Sequence, residues 1–463
     1  MKEGEMLGTQ KTRMIDSYIS DMMRRNRVYG LSICLIKEGK LVYSRGFGLR
    51  SLHPPLPATS NTLYGIGSST KIFTALAVLK LVERSKVHLQ DSVGEYIKRI
   101  SSGSKENDIT IHQLLSHTTG YPDLGMAMGT LGQPLGEQDV WSPLGSLDDL
   151  VTLINDARNE RVSSRGNVFM YWNEGYVLLG KVIEEASGES YQDFVRKNIL
   201  LPLDMKRSTF DGSALETDSD SMVGYYTDKH DRRVPKKFPS HPLGFADGGL
   251  ISSVTELSNL VTMLLNGGSY KGRRIIKKEL LERALSPHIE VRFTAARKRK
   301  TFYGYGIFID SDFFGFQKFG HGGNVAVSSA YFGFVPELNV GIALASNSDF
   351  WAQPVADYAL ALSMNKDPEK LPFVSFQRKA ETLIGRYETF KGSNKMQISM
   401  KGSSLFMEVG NQGQSNSMPL VIDGNKIFLI LGPNKVNLEV NAVSKNDVTI
   451  KFERYLFHKI GKI

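Results

Sequence analysis

Ser68 and Lys71, in the run Gly67-Ser-Ser-Thr-Lys71 just ahead of the apolar stretch Ile72–Arg84, have the types and spacing of a nucleophile and its base. On a helix, residues three apart share a face. A serine that opens a helix lies beside free backbone N–H groups, which favour negative charge developing next to it. A lysine one turn further in can take the proton the serine gives up. Ser and Lys at this spacing also meet by chance in many chains, so the pair needs company. Tyr171-Trp172-Asn173, at the mouth of a second helical stretch, supplies a hydroxyl able to relay a proton and an amide able to hold a substrate or the lysine. The plain alternative there is an aromatic staple with an Asn cap. His321-Gly322-Gly323-Asn324 precedes a strand-like run, and its glycines admit another backbone at close range. The amides of Ser68 and Asn324 are then the expected pair of oxyanion donors.

These residues must be held by a mixed α/β scaffold. A helix is expected over about Thr12–Asn26, where Met14, Ile15, Tyr18, Ile19, Met22 and Met23 recur at helical spacing. A hairpin follows, Leu31–Lys37 and Leu41–Arg45, whose first strand is apolar enough to be central. Cys34 reads there as a core residue. Further helices are expected from Ile111, over Gly175–Ala186, Ser190–Ile199, Val254–Leu265 and Lys277–Ala284. Strands are expected over Gly304–Ile309, Ala326–Val335 and Val340–Ser346. Gly120–Gly145 has no clear period and reads as a long loop. Lys366–Pro372 reads as a linker. Beyond it, short alternating strands at Lys395–Met400, Ser404–Val409, Lys426–Leu431, Val436–Val440 and Val448–Glu453 predict a small antiparallel barrel or sandwich. Two domains are expected, residues 1–370 and 376–463.

The three boxes in this order resemble the beta-lactamase-like serine hydrolases, a group of class C beta-lactamases, D-alanyl-D-alanine carboxypeptidases, D-amino-acid peptidases and esterases. Ser68 and Lys71 match the family's S-x-x-K, Tyr171 and Asn173 its Y-x-N, and His321-Gly322-Gly323 its third box. Leu114-Leu-Ser-His-Thr-Thr-Gly120, Ala246-Asp-Gly-Gly249 and Gly304-Tyr-Gly306 agree as well. The resemblance implies an antiparallel sheet flanked by helices with an all-helical lobe. It also implies an acyl-enzyme on Ser68, with Lys71, Tyr171 and His321 in catalytic roles and Asn173, Gly323 and Asn324 at the substrate and oxyanion. No metal or organic cofactor is implied. The region from Leu383-Ile-Gly-Arg-Tyr387 onward resembles the lipocalin-like barrel of some archaeal peptidases of the family; a homo-oligomer is expected, and the barrel either builds it or closes over the cleft of its own or a neighbouring subunit. Where penicillin-processing members carry K-T-G, this chain has His321-Gly322-Gly323. A fixed cation is replaced by a mostly neutral imidazole, which favours a peptidase, amidase or esterase over an efficient beta-lactamase.

Composition narrows the rivals. The 463 residues carry 57 Lys and Arg against 48 Asp and Glu, a net charge of +9. Residues 378–463 hold 13 of the basic and 7 of the acidic residues, so most of the excess lies in the tail. The basic residues are scattered without aromatic interleaving, which argues against nucleic acid as a partner. The run Arg297-Lys-Arg-Lys300 reads as a solvated loop. One cysteine excludes an internal disulfide and a cysteine-based zinc site. His117 reads as a structural histidine. No apolar run is long enough to span a bilayer, and the charged first 27 residues leave no room for a signal-peptide core, so the expected address is the cytoplasm. A catalytically silent binding or scaffold protein is the rival from another class.

Overall fold

A computed structural model describes residues 7–100, 108–135, 144–164, 166–292, 299–402, 404–410 and 416–462. The chain divides into two compact units, Met1–Lys366 and Asp367–Ile463.

The first unit opens with helix α1 (Thr9–Asn26), whose Ile15, Tyr18, Ile19 and Met22 are buried as their spacing requires. Strands β1 (Gly30–Lys37), β2 (Lys40–Leu52) and β3 (Pro55–Pro57) follow. A short 3-10 turn, Gly67–Thr70, leads into α2 (Lys71–Glu83), a helix buried on almost every side. Next come α3 (Ile111–Ser116), α4 (Met126–Leu135), α5 (Asn173–Ser187) and α6 (Val254–Leu265), then β4 (Ile289–Glu290), β5 (Thr301–Tyr303), β6 (Phe308–Phe313), β7 (Phe316–Asn324), β8 (Ser329–Val335), β9 (Val340–Ser346) and α7 (Gln353–Ser363). The nine strands form one antiparallel sheet in the order β4-β5-β6-β7-β8-β9-β1-β2-β3. The amino-terminal hairpin thus lies beside the last strand of the unit, with Leu31 opposite Ser346 and Lys37 opposite Val340. Strands β1, β8 and β9 are buried almost throughout, as expected for strands covered on both faces. Cys34 lies in that core, with no exposed surface and its thiol pushed up to about 11 by burial.

In the second unit, α8 (Pro372–Leu383) precedes eight strands, from Gly385–Glu388 to Tyr455–Gly461, that close into an antiparallel barrel. Its interior is filled by side chains including Tyr387, Ile398, Leu405, Met407, Leu429 and Phe457.

Several expectations need correction. The third box lies inside strand β7, where His321 pairs with Phe332 and Asn324 with Ser329, and β8 starts only at Ser329. Glycine weakens a strand by itself, so cross-strand pairing rather than local preference makes it one. The strand expected over Gly304–Ile309 is broken by a tight turn in which the Gly304 amide donates to Ile307. Pro372 begins a helix instead of ending a linker, as a residue with fixed φ and no N–H to lose can. Arg299 pairs with Asp310, while Arg297 and Lys298 lie outside the described residues. The stretch read as a long loop contains α4, and its residues 136–143 lie outside the described residues. The signal for α4 is remote. Glu174, in the first turn of α5, accepts the amides of Leu124 and Met126 at 3.1 and 3.3 Å, so the helix start is capped by a residue some fifty positions away.

Glu174 has no exposed surface, and its second oxygen bonds to no described residue. Burial pushes its carboxyl up to about 7 from the ordinary 4.5. A carboxyl that holds its proton more tightly when folded contributes stability below about pH 4.5 that is lost as pH rises toward 7. The loss is at most about 3 kcal/mol at 1.36 kcal/mol per pH unit. Glu174→Gln removes it. Urea midpoints of wild type and variant should therefore diverge between pH 5 and pH 8, with the variant gaining as pH rises. An identical gap at both values would mean that Glu174 does not titrate in this window.

Candidate active site

The site assembles where the helical part of the first unit meets β7. Gly67 adopts φ 52°, and a Cβ there would lie 2.5 Å from the Asn324 nitrogen. A Cβ on Gly323 would lie 1.9 Å from the Ile66 carbonyl oxygen and 2.7 Å from the Ser68 nitrogen. Two backbones can approach this closely only because both positions are glycine. The approach brings the Ser68 turn against the Gly323–Asn324 segment, so the two expected oxyanion amides are neighbours. Ser69 Oγ donates to the His321 carbonyl at 3.1 Å and ties the same two segments.

Lys71 has no exposed surface. Its Nζ lies 3.1 Å from Ser68 Oγ, 2.8 Å from Asn173 Oδ1 and 2.8 Å from the Asp247 carbonyl oxygen. The expected nucleophile, base and asparagine therefore do converge. Asn173 is the first residue of α5 and caps nothing; Trp172 holds the N-cap position without a side-chain bond. Tyr171 stands above the lysine, its ring centroid 4.9 Å from Nζ. The Tyr171 hydroxyl has no hydrogen bond to a described residue.

His321 is 2% exposed and faces Tyr171, with ring centroids 6.2 Å apart. Its Nδ1 lies 2.6 Å from the Gly322 carbonyl oxygen, which only accepts, so Nδ1 carries the proton. Its Nε2 lies 3.2 Å from the Tyr303 hydroxyl and is the acceptor there. Burial, and then the charge of Lys71, push the imidazole down to about 3. His321 is thus neutral, with both nitrogens bonded to groups other than Ser68 and Tyr171. Asn324 is oriented by its side chain, which donates to Asp349 and accepts from the Ala326 amide at 2.7 Å.

Three contributors carry no sequence signal of their own. Asp247 sits in the quoted Ala246–Gly249 segment, yet nothing local places its carbonyl on Lys71. Its carboxyl, 4.0 Å from Nζ, is pushed up to about 6 by burial, partly offset by the lysine. Tyr303 comes from β5. Tyr176, whose ring centroid lies 5.4 Å from Nζ, comes from α5 and donates to the Leu115 carbonyl. Among the described residues, no group of three or more His, Cys, Asp or Glu side chains converges as metal ligands do, and no helix is long and apolar enough to cross a membrane.

Ser68 opens onto two hollows. The larger, of about 730 Å³, is lined by Tyr171, Phe308, His321, Gly322, Asp349 and Trp351 among others. The smaller, of about 80 Å³, is lined by Thr130, Leu131, Asn173, Asp247 and Asn324 among others. Tyr171 borders the first and Asn173 the second.

Comparison with known proteins finds relatives of both units of the chain. A family model described as Beta-lactamase matches residues 15–364, and one described as the Pab87 octamerisation domain matches residues 368–458. Protein flp of Staphylococcus aureus (strain MW2) is 29% identical over 221 residues, 47% of this chain and 42% of that protein, so the match spans less than half of the relative's length. A putative D-alanyl-D-alanine carboxypeptidase of Escherichia coli O157:H7 is 24% identical over 64% of this chain and 71% of its own. The octameric penicillin-binding protein homologue from Pyrococcus abyssi superposes with a TM-score of 0.88 at 36% identity, covering 97% of this chain and 100% of that one. With its family domain spanning residues 15–364, the chain belongs to the beta-lactamase family of serine hydrolases.

Proposed function

We propose that the protein hydrolyses a small peptide or amide, D-amino-acid peptides included, through an acyl-enzyme on Ser68. The observation that carries this reading is the setting of Lys71. As an amine it would direct two hydrogens at the Asn173 and Asp247 oxygens, leaving its lone pair toward the Ser68 hydroxyl 3.1 Å away. Ser68 Oγ attacks the carbonyl carbon while its proton passes to the Lys71 amine, which relays it through the Tyr171 hydroxyl. The amides of Ser68 and Asn324 hold the oxyanion, each worth about 2.7–4 kcal/mol by comparison with side-chain oxyanion donors. Tyr171 returns the proton to the leaving amine, and water then releases the acyl group by the reverse sequence. Asn173 orients Lys71. His321 flanks Tyr171 as a neutral ring, so a substrate carboxylate finds no cation at the position of the family's K-T-G lysine. That favours peptides, amides and, as a second reading, esters over beta-lactams.

The assembly is proposed to be a homo-oligomer built through the barrel. Support comes from the match of residues 368–458 to an octamerisation domain and from the octameric Pyrococcus abyssi relative. A cytoplasmic location remains the expectation drawn from the sequence.

Ser68→Ala should abolish turnover of D- and L-aminoacyl amides, peptides and p-nitrophenyl esters while leaving circular dichroism and melting close to wild type. Deleting a nucleophile costs on the order of 10⁶ in rate; turnover above about a thousandth of wild type would refute the assignment. Lys71→Ala and Tyr171→Phe should slow acylation by a slow ester roughly 10²–10⁴-fold with little change in binding. Wild-type acylation and deacylation by Tyr171→Phe would reduce Tyr171 to a packing residue. A chain ending near Lys370 should still label with a small fluorophosphonate at Ser68 but shrink in light scattering. A folded truncation that no longer labels would place a site residue in the tail.

A further inference from the structure

His117 stands behind Tyr171 and binds the chain on both sides of it. It ends α3 in the left-handed conformation, φ 55°, and is 1% exposed. Its carbonyl accepts the Met170 amide at 2.9 Å, and its Nδ1 accepts the Trp172 amide at 3.0 Å. The two amides that flank Tyr171 are therefore bound by one residue. Its ring also packs against that of Tyr171, with centroids 4.3 Å apart and planes tilted by 35°.

The bond fixes the tautomer. An amide can only donate, so Nδ1 is unprotonated and the ring proton sits on Nε2. That Nε2–H is buried and meets no partner among the described residues. Protonating the ring would set one N–H against another at Trp172. Burial, then the charge of Lys71, hold the imidazole well below its ordinary range. A left-handed helix end is served by Gly or Asn, and an apolar pocket by Leu. What the imidazole adds is the Nδ1 acceptor, and it adds it despite leaving a buried donor unsatisfied, which costs free energy.

We propose that His117 is the positioning residue for Tyr171: by gripping the amides of Met170 and Trp172 and backing the phenol ring, it sets where the hydroxyl stands relative to Ser68 and Lys71. The proposal rests on the reading that Tyr171 moves a proton during acylation. Misplacing such a group by about 1 Å can cost 10²-fold in rate, so a mobile Tyr171 slows chemistry while leaving substrate affinity largely intact.

Three variants of the full-length chain separate this role from simple packing. His117→Asn keeps a short side-chain acceptor and tolerates the left-handed backbone. His117→Leu keeps volume without an acceptor. His117→Gly suits the backbone, keeps the carbonyl and lacks the acceptor, so it serves if the leucine chain fails to fold. With a slow ester, the Leu and Gly variants should acylate roughly 10- to 100-fold more slowly, with KM changed less than about threefold. The Asn variant should recover most of the rate. In a Tyr171→Phe background the acceptor-free substitutions should have little further effect, because two changes acting through one hydroxyl do not add. The inference is overturned if the acceptor-free variants acylate at the wild-type rate, if Asn is no better than Leu or Gly, or if the loss is undiminished without the Tyr171 hydroxyl. Wild-type acylation by Tyr171→Phe alone would instead defeat the underlying reading of Tyr171, a distinguishable failure.

Discussion

A lysine nitrogen with no access to water must find hydrogen-bond partners inside the protein, and the first unit is organised around that requirement at Lys71. Leaving such a group unpaired costs several kcal/mol. The partners come from three separate segments: Ser68 from the turn before α2, Asn173 from the start of α5, and the Asp247 carbonyl from the segment ahead of α6. The first and third of these segments are also tied to each other and to β7. Thr70 Oγ1 accepts the Leu250 amide, Thr74 Oγ1 donates to the Ala246 carbonyl, and Ser69 reaches the His321 carbonyl of β7. Satisfying one amine thus places nucleophile, amide and sheet in a single register.

The second constraint is the glycine-to-glycine approach at Gly67 and Gly323. It removes the space a side chain would occupy and lets main-chain N–H groups from the α2 turn and β7 lie together. An oxyanion hole made of backbone amides needs such proximity, since amide donors cannot reach out as side chains do. Tyr171 meets the opposite condition. It is flanked by two neutral imidazoles, His117 and His321, whose protons are located by carbonyl and amide partners. Neither ring brings a charge beside Tyr171, whose own ring faces the Lys71 nitrogen at 4.9 Å.

The barrel shares none of these groups. Its core is its own, with α8 contributing Ala380 and Leu383 and Tyr387 Oη donating to the Leu383 carbonyl at 2.6 Å. The candidate site and the match to an octamerisation domain therefore fall in different units of the chain.

The candidate residues Ser68, Lys71, Tyr171, Asn173 and His321-Gly-Gly-Asn324 were legible in the sequence, because each box is short and local. Helices with a strong apolar period, such as α1 and α6, and the buried strand β1 were legible for the same reason: periodicity is a local property. Tertiary structure alone decided the rest. The start of α4 depends on Glu174, the strand character of His321–Asn324 on pairing with β8, and the hydrogen bond at His321 Nε2 on Tyr303. His117, read from sequence as a structural histidine, turns out to grip both amides beside Tyr171. In each case the deciding partner is a donor or acceptor many residues away, and a hydrogen bond across the fold leaves no periodic trace in the chain that makes it.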